Sequence, residues 1–198
     1  DGDEKVFMGA FSGQVALQLD GRVLGFVTVR TLHALGFGAV RTAWGVGVEL
    51  DRHRDRTLVR EVVPASAGPD AREDIEKLVR VAKAYVTETD DDLDWLMNEH
   101  HCAPMADKFE MATAYKEWTR EVLSVSRTPN PYVSFDDMVY LPAYHGFVDK
   151  KYPRAMYDES QDFTRAQVIC SLNLLQPGAQ AVYVGDDRQR VYSFRGAD

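Results

Sequence analysis

Cysteine is scarce in this chain. Its 198 residues hold two, Cys102 and Cys170, too few for a disulfide scaffold, and a reducing cytoplasm is the expected setting. Long apolar runs are missing as well. None approaches the ~18 residues that cross a bilayer, which excludes a helical membrane protein. The polar start, Asp1-Gly2-Asp3-Glu4-Lys5, has no apolar core of the kind a secretory signal needs. Bases are outnumbered, with 23 Lys and Arg against 31 Asp and Glu and a net charge of −8. That balance argues against a protein that coats nucleic acid by charge alone, since neutralising phosphates takes cations. It leaves room for a local contact surface. Arg52, Arg54, Arg56 and Arg60 cluster, as do Arg188, Arg190 and Arg195; the first group reads as a solvated, acid-balanced surface. No G-x-x-x-x-G-K-[ST] loop occurs, nor any Gly-Lys pair, so these residues contain no phosphate-cradling loop. Gly36-Phe37-Gly38 and Gly45-Val46-Gly47 lack the third glycine of a dinucleotide fingerprint and read as helix or turn glycines. His100-His101-Cys102 has no second ligand pair at a usable spacing for zinc.

Four short β-rich runs are present: Lys5 to Phe11, Phe26 to Arg30, Ala155 to Tyr157 and Ala181 to Val184. The last two lead into Asp158 and Asp186. Short apolar strands separated by helical patterns predict a parallel α/β sheet, and such sheets bind ligands at the carboxyl ends of their strands. The middle of the chain reads differently. Arg72 to Val86 carries a helical stripe of Ile75, Leu78, Val79, Ala82, Tyr85 and Val86, with Asp70 and Glu73 resembling a capping box. A second helix is predicted from about Asp107 to Leu123, with Phe109, Ala112, Tyr115, Trp118 and Val122 on one face. The acidic stretch between them, Thr87 to Leu96, lacks calcium-loop spacing and reads as a turn and helix start. Ser134 is the expected N-cap of a further helix. Thr164 and Gln167 form a capping box for the next one, which Pro177-Gly178 should stop. The resulting division is a first α/β part at 1–57, an all-helical insertion at 58–132, and a return to α/β at 133–198.

Two blocks carry chemistry. In Tyr157-Asp158-Glu159-Ser160-Gln161-Asp162, a strand delivers two adjacent carboxylates to its C-terminal edge. In nucleotide hydrolysis the first can hold Mg²⁺ and the second can orient and deprotonate the attacking water. Such a pair also serves ordinary turns. The second block is Gly185-Asp186-Asp187-Arg188-Gln189, followed by Val191-Tyr192-Ser193-Phe194-Arg195-Gly196-Ala197-Asp198. Glutamine at a sheet edge can read a γ-phosphate, and aromatics interleaved with arginine suit the bases and phosphates of a single strand. Taken alone, Tyr192 and Phe194 also read as core residues of a strand.

Together these blocks resemble the Walker B motif and motif III of UvrD/Rep-like superfamily 1 DNA helicases. Thr31-Leu32-His33 is similar to the family's TxH segment, Ser134-Phe135-Asp136-Asp137-Met138 to its FDD segment, and Val6 to Leu19 to the strand and helix of motif Ia. The resemblance implies a RecA-like P-loop NTPase motor domain, incomplete, with an inserted α-helical subdomain. It implies Mg²⁺ and ATP as cofactors of the complete enzyme, Asp158 as the metal ligand and Glu159 as the catalytic base. Gln161 and Gln189 would join the nucleotide site, with Gln189 sensing the γ-phosphate. Tyr192 and Phe194 would stack on bases, Arg195 would contact DNA or couple the two sites, and Thr31 and His33 would lie by the DNA path. His33 reads equally as a satisfied histidine at a strand–helix junction.

The implied activity is ATP-driven 3′ to 5′ movement on single-stranded DNA with unwinding at duplex junctions. Its P-loop would come from the remainder of the chain or from a partner. The departures are the absent Walker A loop, Ser12 and Gly13 at positions where Asn and Lys are frequent, and Arg154 in a run that is usually apolar. Alternatively, the chain is a catalytically dead single-strand-binding or interaction module derived from such a motor.

Overall fold

The computed structural model describes residues 5–104 and 109–186. Its main sheet contains β1 (Val6–Gly9), β2 (Val27–Arg30), β5 (Tyr152–Tyr157) and β6 (Leu175–Tyr183), in the order β2-β1-β5-β6 with every neighbour parallel. A second pair, β3 (Glu49–Leu50) and β4 (Tyr132–Val133), is parallel too. The expected mixed α/β class with a parallel sheet is therefore observed.

The helices are α1 (Gly13–Asp20), α2 (Leu32–Trp44), α3 (Arg54–Val62), α4 (Gly68–Tyr85), α5 (Asp90–Glu99), α6 (Phe109–Ser126), α7 (Asp137–His145) and α8 (Arg165–Asn173). Among the described residues between β3 and β4 the regular structure is helical, apart from one 3₁₀ turn at Ala65–Ala67. The β3–β4 pair joins the two ends of that segment.

Two apolar cores result. One is built on the α4 stripe, with Ile75, Leu78, Val79 and Ala82 packed against Leu58, Leu93, Leu96, Val122 and Leu123. The other lies on one face of the sheet, where Phe7, Ala155 and Tyr157 meet Phe163, Ala166 and Cys170. Helices α2 and α7 separate them: Val40, Tyr140 and Leu141 face the helical core, while Leu32 and Val139 face the sheet core. The α2–α7 crossing is close because Gly36 offers no side chain. A Cβ there would lie 1.9 Å from the Met138 carbonyl oxygen.

Several local expectations change. Helix α4 starts at Gly68 with Pro69 in its first turn, which places Asp70 inside the helix, and no side-chain cap forms. Helix α8 ends at Asn173, and Pro177-Gly178 falls within β6, beside an irregularity in its pairing with β5. By contrast, the Thr164–Gln167 box forms in both directions, and Asp90, Asp91 and Asp92 occupy the first turn of α5, where the helix dipole favours acids. Arg154 is exposed although β5 is central, because its alternate residues Ala155 and Tyr157 take the buried face.

Candidate nucleotide and single-strand site

In the main sheet β1 leads to β2 on one side, while β5 and β6 lie on the other. The carboxyl ends of β1 and β5 therefore flank a topological switch point, the usual ligand position in an open α/β sheet. Asp158 stands there, its N–H donating to the Gly9 carbonyl at 3.3 Å. Asp158 and Glu159 are both exposed, so the acidic pair faces outward from the sheet edge. Glu159 has a left-handed backbone, φ 53° and ψ 39°, a conformation costly for a non-glycine residue and frequent at functional sites. The sharp turn is held by Ser160, whose N–H and hydroxyl both donate to the Val184 carbonyl, at 2.9 and 3.0 Å.

Gln161 connects the two acid-bearing loops. Its amide donates to Glu159 Oε2 at 2.6 Å, and its carbonyl accepts the Asp186 N–H at 3.1 Å. Gly185 makes room for this bridge, since a Cβ there would lie 2.2 Å from Gln161 Oε1. Asp158 Oδ1 accepts the Glu159 N–H at 3.0 Å. The donor set is carboxylate oxygen at a solvated edge, which suits Mg²⁺, a hard cation that keeps several waters and binds through one or two carboxylates and substrate phosphates.

Thr31 caps α2: its hydroxyl accepts the Ala34 N–H at 3.1 Å. This places His33 in the first turn of α2, at the carboxyl end of β2. Its ring stacks on Phe135, with centroids 4.2 Å apart and planes at 20°. The two residues help line a cavity of about 380 Å³, together with Phe11, Arg80, Lys83, Asp136, Asp162, Thr164 and Gln167 among others. Beneath Phe135, Ser134 and Asp137 exchange hydrogen bonds. The Ser134 N–H donates to Asp137 Oδ2 at 2.9 Å, and the Asp137 N–H to Ser134 Oγ at 3.2 Å. The N-cap of α7 is Asp136, with no side-chain cap bond; Ser134, expected in that place, instead accepts the Asp137 N–H in the turn that precedes the helix.

Lys83 fixes that turn from below. Fully buried, its ammonium lies 2.6 Å from Asp55 and 2.7 Å from Asp137. Burial disfavours the charge, but the two carboxylates outweigh it and hold the Lys83 pKa above its ordinary value. Phe11, Phe135, Asp136 and Lys83 received no role from sequence alone. Lys83 had a signal, being a cation four residues after Val79 on the buried side of an apolar helix. The other predicted site residues, Gln189, Tyr192, Phe194 and Arg195, lie outside the described residues.

A family model described as the UvrD/REP helicase N-terminal domain matches residues 18–198. No curated protein matches the chain.

Proposed function

Because the chain belongs to the UvrD/REP helicase family, we propose that it forms part of the first motor domain of an ATP-dependent DNA helicase. In this reading residues 58–132 are a helical subdomain inserted into a P-loop-type motor domain, and the phosphate cradle is supplied from outside these residues. The observation that carries the proposal is the acidic pair at the switch point, tied through Gln161 to the loop after β6.

Asp158 would hold Mg²⁺, which supplies charge neutralisation of the nucleotide phosphates when bound. Glu159 would take the proton of the attacking water at its carboxylate. Gln161, donating to Glu159 Oε2, orients that carboxylate, and its second bond relays the position of the Asp186 loop. Gln189, outside the described residues, would read the γ-phosphate. His33 lies beside the path of the single strand, while Tyr192 and Phe194 would stack on its bases and Arg195 contact the strand. Movement from 3′ to 5′ and unwinding at duplex junctions belong to the same reading.

In the complete protein, Glu159→Gln should retain ATP binding while lowering DNA-stimulated hydrolysis by about 10²–10⁴-fold, the usual contribution of a positioned base. Single-turnover hydrolysis alongside equilibrium nucleotide binding checks this. Turnover equal to the unsubstituted enzyme would remove Glu159 from the role.

A further inference from the structure

The turn after β5 closes on one residue at the exit of β6. The Val184 N–H donates to the Tyr157 carbonyl at 2.8 Å, and the Val184 carbonyl accepts from the Ser160 N–H at 2.9 Å and from the Ser160 hydroxyl at 3.0 Å. The chain thus leaves Val184 at Tyr157 and returns to it at Ser160, so Asp158 and Glu159 make the whole reversal. Glu159 absorbs it with a left-handed backbone, φ 53° and ψ 39°. An unrestrained glutamate leaves that region for the right-handed helical or extended one.

Glu159's own main-chain bonds do not hold it there. Its N–H donates to Asp158 Oδ1 at 3.0 Å, and its carbonyl accepts the Asp162 N–H at 3.1 Å. Both partners belong to the same turn and move with it. The restraint comes from outside the turn. Before Glu159, the Asp158 N–H is anchored on the Gly9 carbonyl. After it, Gln161 reaches the Asp186 N–H and Ser160 reaches Val184. Gln161 holds the end of the Glu159 carboxylate, whereas Ser160 acts on the main chain, one peptide from the strained residue. The fit on the β6 side is close: a Cβ on Gly185 would lie 3.0 Å from Ser160 Oγ and 2.2 Å from Gln161 Oε1.

We infer that Ser160 is a positioning residue: its hydroxyl, locked on the Val184 carbonyl, keeps the Glu159 main chain left-handed and so keeps the Glu159 carboxylate where it takes a proton. The inference rests on the assignment of Glu159 as the base proposed above, and names the side chain that maintains its conformation. Ser160 acts only through Glu159. One hydrogen bond and one left-handed residue are of similar energetic weight. Removing the hydroxyl therefore shifts the balance at Glu159 without opening the turn, which the Ser160 N–H still closes.

The test measures steady-state ATP hydrolysis by the complete protein with saturating single-stranded DNA. Ser160→Ala should lower kcat about three- to tenfold, the weight of one hydrogen bond, with the KM for ATP and the Tm unchanged. Ser160→Thr, which keeps the hydroxyl, should restore kcat. Gly185→Ala presses on the same lock from β6, and in that background Ser160→Ala should cost much less than it does alone, because members of one network are not additive. An unchanged kcat in Ser160→Ala, a loss taken in KM or left unrepaired by Thr, or losses in the two variants that simply multiply would overturn the positioning role and leave Glu159 as the base. A complete protein that hydrolyses no ATP, or Glu159→Gln with full turnover, would overturn the reading of the site and this inference together.

Discussion

Burial beside Asp55 pushes the Asp136 carboxyl up to about 6, although Lys83 and Arg80 pull the other way and Asp137 adds to the rise. A raised carboxyl binds its proton more tightly in the folded than in the unfolded chain. Its favourable contribution is therefore complete below the ordinary value of 3.8 and is lost as pH rises through about 6. Asp136→Asn should accordingly stabilise the protein at pH 8, by on the order of 1–3 kcal/mol, with the difference vanishing near pH 4. Thermal unfolding of both forms across that range measures it, and a constant offset would rule out the ionisation as its cause. The two thiols behave differently: burial pushes Cys102 up to about 11 and Cys170 up to about 12. Both act as small apolar residues of the two cores.

At the scale of elements, α2 and α7 set the distance between the sheet and the helical segment. Their contact depends on Gly36, because the atom a Cβ would meet is backbone and cannot swing aside. Gly36→Ala should force the helices apart and cost about 1–3 kcal/mol, as overpacking in a core does; urea denaturation with an unchanged m-value would register it. Element types were largely legible in the sequence. The α4 stripe, the four strands of the main sheet and the Thr164–Gln167 cap all follow from local periodicity and hydrogen-bonding chemistry. The start of α4 was not, because Gly68-Pro69 can open a helix without the Asp70 side chain. Pro177-Gly178 departs from its expected place at the end of a helix for a related reason. A pairing irregularity in β6 accommodates residues that usually end an element.

For the whole molecule, the buried ion cluster is a principal tie between the parts. Lys83 belongs to α4, Asp55 to α3, and Asp137 to the start of α7. Lys83→Met would leave two partly or fully buried carboxylates facing one another, an expected loss of about 3–5 kcal/mol. Adding Asp55→Asn and Asp137→Asn should recover a good part of it, since the penalty is mostly the uncompensated charge. Equilibrium unfolding of the single and triple variants separates this from lost packing. The opposite face of the sheet differs from the packed one: Met8 is half-buried, and Met156 and Val182 beside it are 42% and 49% exposed. Parallel sheets are normally covered on both faces, and among the described residues only one face carries a core.

Local pattern in the chain was enough for the four strands of the main sheet, the stripes of α4 and α6, the cap of α8 and the delivery of Asp158 and Glu159 to a strand end, but not for β3, β4 or the bounds of α2 and α3. Each depends on side-chain alternation, helical spacing or turn chemistry within a few residues. Which distant residues share a site depends instead on how the elements pack. Gln161 meets Asp186 because β6 pairs with β5, and His33 meets Phe135 because α2 crosses the start of α7 at Gly36. Lys83 reaches Asp55 and Asp137 because three elements converge on one buried point. Such contacts arise from helix crossings and strand pairing between segments far apart in the chain, and no local pattern encodes them.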